Sequence, residues 1–143
     1  MSKILITGAN GQLGTELRHL LDERGIAYDA RDAKDMDITD RQTVEEQVVA
    51  LKPAVIYHCA AYTAVDKAED EGKEINWRVN EDGTRNLAEV AAKVGAKLVY
   101  LSTDYVFDGQ GTEPWLPDCK EYAPLNIYGQ TKLDGEQAVA NTL

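Results

Sequence analysis

Short runs of β-branched, leucine and tyrosine residues alternate along this chain with longer segments whose apolar positions recur every three or four residues. That alternation is the pattern of βαβ units built around a parallel sheet. Strands are predicted over residues 3–7, 26–30, 54–58 and 97–102, each resting on Ile, Val, Leu or Tyr, with a fifth short strand at 35–38. Helices fall between them. The first spans 12–23, with Leu13, Leu17, Leu20 and Leu21 along one face and Gly25 as its stop. The second opens at the capping box Thr39-Asp40-Arg41-Gln42, turns Val44, Val48 and Leu51 inward, and ends before Pro53. The third runs from 73 to 94, with Ile75, Val79, Leu87, Val90 and Val94 as its apolar stripe and Gly95 beyond its end.

A loop rich in Gly, Pro, Asp and Glu follows, from 108 to about 124, and loops of that length often close over ligands. A last helix begins near Ile127 and meets the chain end at Leu143. A parallel strand normally follows such a helix and none is supplied. The expectation is therefore one α/β unit over residues 1–143, a doubly wound parallel sheet that is incomplete at its C-terminus.

Composition narrows the partners. With 15 Lys+Arg against 25 Asp+Glu, the 143-residue chain carries a formal charge of −10, and its basic residues are scattered singly among acids. No footprint for a nucleic-acid backbone is formed that way. A 43% hydrophobic content can fill a core, which argues against disorder. No stretch approaches the ~20 apolar residues of a membrane span, and the N-terminus enters a strand-like run without a signal segment, so a cytoplasmic protein with no membrane partner is expected. Cys59 and Cys119 read as free thiols, and His19 and His58 have no second ligand at helical spacing, so no metal site is expected. Nothing fixes the oligomeric state, and a homodimer stays open.

The most informative segment is Lys3-Ile4-Leu5-Ile6-Thr7-Gly8-Ala9-Asn10-Gly11-Gln12-Leu13-Gly14, a strand that runs into a glycine turn and then a helix. Gly8 permits the turn, Gly11 lets backbone N–H groups approach a pyrophosphate, and Gly14 lets the helix pack close to the sheet. Asn10, Gln12 and Leu13 belong to the same cofactor-binding turn, whose helix end offers unpaired N–H groups to an anion. An acidic chain needs such a local device to hold phosphates. About 20 residues after the triad, Asp32 is the candidate partner of the adenosine ribose. Arg31 and Lys34 can instead meet a 2′-phosphate, so NADH and NADPH both stay open, and Asp37 and Ile38 can flank the adenine.

Further along, Tyr128 and Lys132 stand four residues apart on one face of the last helix. A free tyrosine, with a pKa of about 10, is a sluggish proton donor or acceptor near neutrality. Positive charge from Lys132 and from oxidised nicotinamide is expected to lower that pKa, letting Tyr128 exchange a proton with a carbonyl or hydroxyl. Ser102 and Thr103 follow directly on the fourth strand, at the sheet edge where open α/β proteins bind ligands, and one of these hydroxyls can bond the same oxygen.

Taken together, the glycine triad, Val55-Ile56-Tyr57-His58 running into Cys59-Ala60-Ala61, Ser102-Thr103, and Tyr128 with Lys132 resemble the extended short-chain dehydrogenase/reductase family over essentially the whole chain. Within it, Cys59-Ala60-Ala61-Tyr62-Thr63-Ala64-Val65-Asp66-Lys67-Ala68-Glu69 and Ser102-Thr103-Asp104-Tyr105-Val106-Phe107-Asp108-Gly109 are similar to its nucleotide-sugar reductases. The resemblance implies an NAD(P)-binding, Rossmann-like domain whose C-terminal substrate-binding portion is absent. It also implies NAD(P)H-dependent reduction of the C4 ketone of dTDP-4-dehydro-6-deoxy-L-mannose, in dTDP-rhamnose biosynthesis. It casts Thr103, Tyr128 and Lys132 as catalytic, with Tyr128 giving the proton and Lys132 also binding the nicotinamide ribose. Ala60, Ala61 and Tyr62 would line the cofactor path, and Thr63, Val65, Asp104 and Tyr105 would join Thr103 and Tyr128 at the dTDP-sugar. Related 4,6-dehydratases carry Thr-Asp-Glu where this chain has Thr103-Asp104-Tyr105, which disfavours dehydration. A nucleotide-sugar epimerase, or a non-catalytic NADP-binding regulatory subunit of the methionine adenosyltransferase type, remains the alternative.

Overall fold

The computed structural model describes residues 3–61, 63, 68–111 and 113–143. Four strands, β1 (Ile4–Thr7), β2 (Asp29–Arg31), β3 (Val55–His58) and β4 (Lys97–Tyr100), form a parallel sheet in the order β2-β1-β3-β4. Helices α1 (Gln12–Glu23) and α2 (Arg41–Leu51) connect the first three strands. The order reverses between β1 and β3, and at such a switch the carboxyl ends of the strands open a crevice for ligand.

Successive strand residues point to opposite faces, and the core divides accordingly. Leu5 and Ile56 face one way and join Val44, Val48, Leu87 and Val90 in the larger cluster. Ile6 faces the other way and joins Ala9 and Leu21, with Leu17 and Tyr57 packed alongside. Of the leucine face predicted for α1, only Leu21 is fully buried, while Leu13 and Leu20 are 47% and 42% exposed.

Several expected boundaries are corrected. β2 begins at Asp29 and not Ile26, and its register with β1 starts at the pair Leu5 and Asp29. Ile26 is instead exposed and closes the end of α1 through its N–H to the Leu21 carbonyl. β4 stops at Tyr100, opposite the last residue of β3. The strand expected at 35–38 is a pair of turns in which Asp35 and Met36 donate to the Asp32 carbonyl and Asp40 to that of Asp37. Met36 and Ile38 alternate because both are buried in the larger core cluster. The cap of α2 is Asp40, whose side chain accepts from the Gln42 and Thr43 N–H groups, while Thr39 turns back to Asp37.

The long third helix is broken into three parts: α3 (Lys73–Asn76), a π-helical stretch over Trp77–Gly83, and α4 (Thr84–Val94). Its wider turn shifts the faces, so Ile75 of the expected apolar stripe is exposed. After β4 comes a 3-10 turn (Asp104–Val106), then a long connection, then α5 (Ile127–Thr142). In the connection, Phe107 stacks on Trp115 with ring centroids 4.5 Å apart and on Tyr122 at 5.8 Å. Among the described residues no helix is long and apolar enough to cross a membrane.

Candidate active site

At the end of β1 the chain turns at Gly8, whose φ of +62° lies in the left-handed region. A Cβ on Gly8 would stand 2.5 Å from the Ala60 nitrogen, so the turn rests directly on the backbone that leaves β3. At Gly14 a Cβ would collide with the Gly8 carbonyl and crowd Ala9 Cα. The role expected for Gly14 therefore shifts: it brings the helix against the glycine turn itself. Gly11 caps α1 in extended conformation with no side-chain hydrogen bond, leaving the helix end to an outside acceptor.

A pocket opens here, with Thr7, Gly8, Gly11, Ala60 and Ala61 in its wall. This cradle, shaped by atoms that are missing rather than present, fits a dinucleotide. Asp32, Asp37 and Ile38 line the same pocket. Arg31 does not line it: its guanidinium donates to Gln47 Oε1 at 3.1 Å and to the Ala30 carbonyl at 3.0 Å. Nor do Asn10, Gln12, Leu13 or Gly14 form its wall. Asn10, Gln12 and Leu13 are exposed on the turn and first helical residues, and Asn10 Oδ1 accepts from Arg18 at 3.4 Å. Thr63 is exposed, while Tyr62 and Val65 lie outside the described residues.

The second cluster forms beyond the end of β4. Thr103 caps the 3-10 turn, accepting from the Tyr105 N–H at 3.2 Å, and its side chain lies near enough to the Tyr128 phenol to lower the phenol's pKa. Tyr105 sets its ring edge-on to Tyr128, with centroids 5.7 Å apart and planes at 90°. Asp104 is close enough to raise the pKa of the phenol. Ser102 is committed elsewhere, donating to Glu136 at 2.9 Å, which leaves Thr103 as the hydroxyl for ligand. Helix α5 approaches this closely because of Gly129, where a Cβ would strike the Tyr105 carbonyl. Asn126 starts the helix by accepting from the Gly129 N–H at 2.7 Å.

The electrostatics differ from expectation. Burial pushes the Tyr128 pKa up, as do Tyr105 and Asp104, and only the neighbouring Thr103 opposes them. Lys132 is not among the groups that act on it. The expected lowering by Lys132 is absent because the ammonium faces the Tyr100 ring, 4.5 Å from its centroid. Tyr128 is thus held as a neutral phenol, the form that can give a proton. Lys132 is itself buried, and desolvation brings its pKa down to about 8.

Sequence reasoning missed the buried polar support of this helix. Asn76, Asn80 and Thr131 are all buried and bonded together, Asn80 Nδ2 donating to Thr131 Oγ1 at 3.2 Å and to Asn76 Oδ1 at 3.3 Å. Thr131 Oγ1 also contacts the Tyr128 carbonyl at 2.9 Å. A signal was present: Asn76, Asn80 and Thr84 recur every four residues in a helix otherwise read for its apolar stripe. His58, read only as a ligand without a partner, is buried between Thr7 and Thr84, and desolvation lowers its pKa to about 3.

A parallel sheet with a glycine cradle at its switch point, and a Thr–Tyr hydroxyl pair on the same edge, places this chain among Rossmann-like dinucleotide folds. Residues 2–143 match the RmlD substrate binding domain, and the chain belongs to that family. It is 48% identical to the dTDP-4-dehydrorhamnose reductase of Streptomyces griseus, over 97% of this chain and 45% of that protein. With the enzyme of the same name from Escherichia coli K12 it shares 42% identity, over 95% of this chain and 46% of that one. The crystal structure of dTDP-4-dehydrorhamnose reductase from Bacillus anthracis in complex with NADP superposes with a TM-score of 0.92 at 43% identity, over 99% of this chain and 50% of that one. The chain spans about half the length of the relatives it matches.

Proposed function

We propose that this chain carries the dinucleotide site and the reacting groups of a dTDP-4-dehydrorhamnose reductase, which reduces the C4 ketone of dTDP-4-dehydro-6-deoxy-L-mannose to dTDP-L-rhamnose with NADH or NADPH. The similarity to reductases of that name supports the reading. The observation that carries it is the hydroxyl pair, the Thr103 side chain beside the Tyr128 phenol at the carboxyl edge of the sheet. With a ketone in place, both hydroxyls bond its oxygen, and Tyr128 gives the proton as the carbonyl becomes an alcohol. The dinucleotide, when bound, supplies the hydride.

In this reading the turn from Gly8 to Gly14, with Asn10, Gly11, Gln12 and Leu13, holds the pyrophosphate. Asp32 takes the adenosine ribose, and Asp37 and Ile38 flank the adenine. Ala60, Ala61 and Tyr62 line the path to the nicotinamide, whose ribose falls to Lys132. Thr63, Val65, Asp104 and Tyr105 are assigned to the sugar. Two carboxylates in the adenosine end of the pocket, with Arg31 engaged by Gln47, favour the free 2′-hydroxyl of NADH over the 2′-phosphate of NADPH. The cytoplasm, which supplies nicotinamide cofactor and nucleotide sugar, is the expected compartment. These 143 residues alone are expected to bind dinucleotide and to turn over poorly or not at all.

The test is loss of the nicotinamide absorbance of NADH when the complete protein meets the dTDP-keto sugar, and no loss without it. Cofactor binding with no such loss would mark a regulatory module. An epimerised sugar without net NADH consumption would mark an epimerase.

A further inference from the structure

Lys132 is almost wholly buried, and among the described residues no carboxylate lies within ion-pair distance of it. Its charge is met by Tyr100 on β4 instead. The ammonium stands 4.5 Å from the ring centroid, and the Tyr100 hydroxyl donates to the Lys132 carbonyl at 2.9 Å. One side chain therefore contacts both the charge and the backbone of the lysine. Gly135 makes room for this, since a Cβ there would stand 2.5 Å from the Tyr100 oxygen. A π-face offsets the desolvation of the ammonium without a carboxylate to compete for its N–H groups, which stay available to a ligand.

Tyr100 also stands beside a run of buried polar groups: its proton is on the Lys132 carbonyl, and Thr84 is near enough to act on its hydroxyl. His58 Nε2 is 2.9 Å from Thr84 Oγ1 and Nδ1 is 2.8 Å from Thr7 Oγ1, which accepts from the Ala60 N–H at 3.3 Å. With His58 neutral, one ring nitrogen donates and the other accepts, so both threonines are satisfied. Thr7 directly precedes Gly8, and Ala60 is the backbone on which Gly8 rests.

We propose that Tyr100 is a positioning residue for Lys132, holding its ammonium on the ring and its carbonyl through the hydroxyl, and that Thr7, His58 and Thr84 tie this support to the wall of the glycine-turn pocket. Its effect on ketone reduction rests on the function proposed above, whereas the support itself is a property of the fold.

The test replaces Tyr100 in the complete protein by Phe and by phenylalanines with one to four ring fluorines, which keep the shape and progressively weaken the π-face. The titration of Lys132 is read from the carbon resonance of labelled lysine Cε, assigned with Lys132→Arg, with no substrate present. Among the described residues His58 from β3 and Tyr100 from β4 face Lys132, Tyr128 lies one turn back on α5, and Glu136 and Asp134 of the same helix act on Tyr100. His58, at about 3, and Tyr128, raised above the ordinary tyrosine value, do not titrate near pH 8. From Phe to the tetrafluoro ring the Lys132 midpoint should fall by about half a pH unit or more. A midpoint that stays fixed across the series overturns the proposal. If the midpoint follows the fluorines while wild-type protein fails to reduce the keto sugar, the support stands and the proposed activity does not.

Discussion

The two ends of the site are built from different parts of the chain. At the glycine turn the working groups belong to the main chain, and side chains contribute by being absent: Gly8 bears on Ala60, and Gly14 bears on Gly8. At the reacting end the working groups are side chains, and what holds them is a set of buried and half-buried polar residues on β1, β3, β4, the π-helical stretch, α4 and α5. A site made of backbone fails through added atoms. A site made of side chains fails through lost hydrogen bonds, and the two can be separated by experiment.

The largest separation is expected from Tyr128→Phe in the complete protein. Removing the proton donor should lower kcat by about 10²- to 10⁴-fold while NADH affinity stays within a few-fold, measured by turnover and by calorimetric titration. Substantial residual turnover would take the donor role from Tyr128. Gly14→Ala should do the reverse. Its methyl would run into the backbone of Gly8 and Ala9, so about 1–3 kcal/mol of stability or more should be lost together with dinucleotide binding, visible in urea melts with and without NADH. Unchanged affinity would show that the turn can relax around the methyl group.

His58 gives the buried polar set a pH signature. Its folded pKa, about 3, lies below the ordinary 6.5, so the unfolded chain takes up the proton first. Its contribution is complete above pH 6.5 and is lost as pH falls toward 3, at up to about 1.4 kcal/mol per pH unit. Urea unfolding at pH 7, 5 and 4 reads that slope, and His58→Gln should flatten it; an equal slope in both proteins would assign the acid sensitivity elsewhere. The smallest effect sharpens the cofactor end. Asp32→Asn should move the ratio of NADPH to NADH affinity toward NADPH by about tenfold, and an unmoved ratio would place the ribose contact on another residue.

The same contrast explains what could be read in advance. Spaced glycines after a strand announce a backbone site, and at Gly8 and Gly14 the structure shows why, since a Cβ at either would strike backbone. Tyr128, Lys132 and Thr103 were legible as chemistry, and the structure brings Thr103 to Tyr128. The direction of the Tyr128 shift was not, because it depends on which way the Lys132 ammonium turns, and that is decided by Tyr100 on a strand 32 residues away. The π-helical stretch was hidden too. Its buried Asn80 sits where an α-helical pattern asks only for apolar spacing, and the break at Trp77 follows from tertiary contacts and not from local propensity.

The central claim is that one ketone oxygen is gripped from two sides. A crystal structure of the complete protein with NADH and a non-reducible dTDP-sugar tests it most directly. The sugar's C4 oxygen should lie within hydrogen-bond reach of both Thr103 Oγ1 and the Tyr128 hydroxyl, with the dinucleotide pyrophosphate on the Gly8 to Gly14 turn. A sugar oxygen bound away from these hydroxyls, or a dinucleotide seated elsewhere, would contradict it.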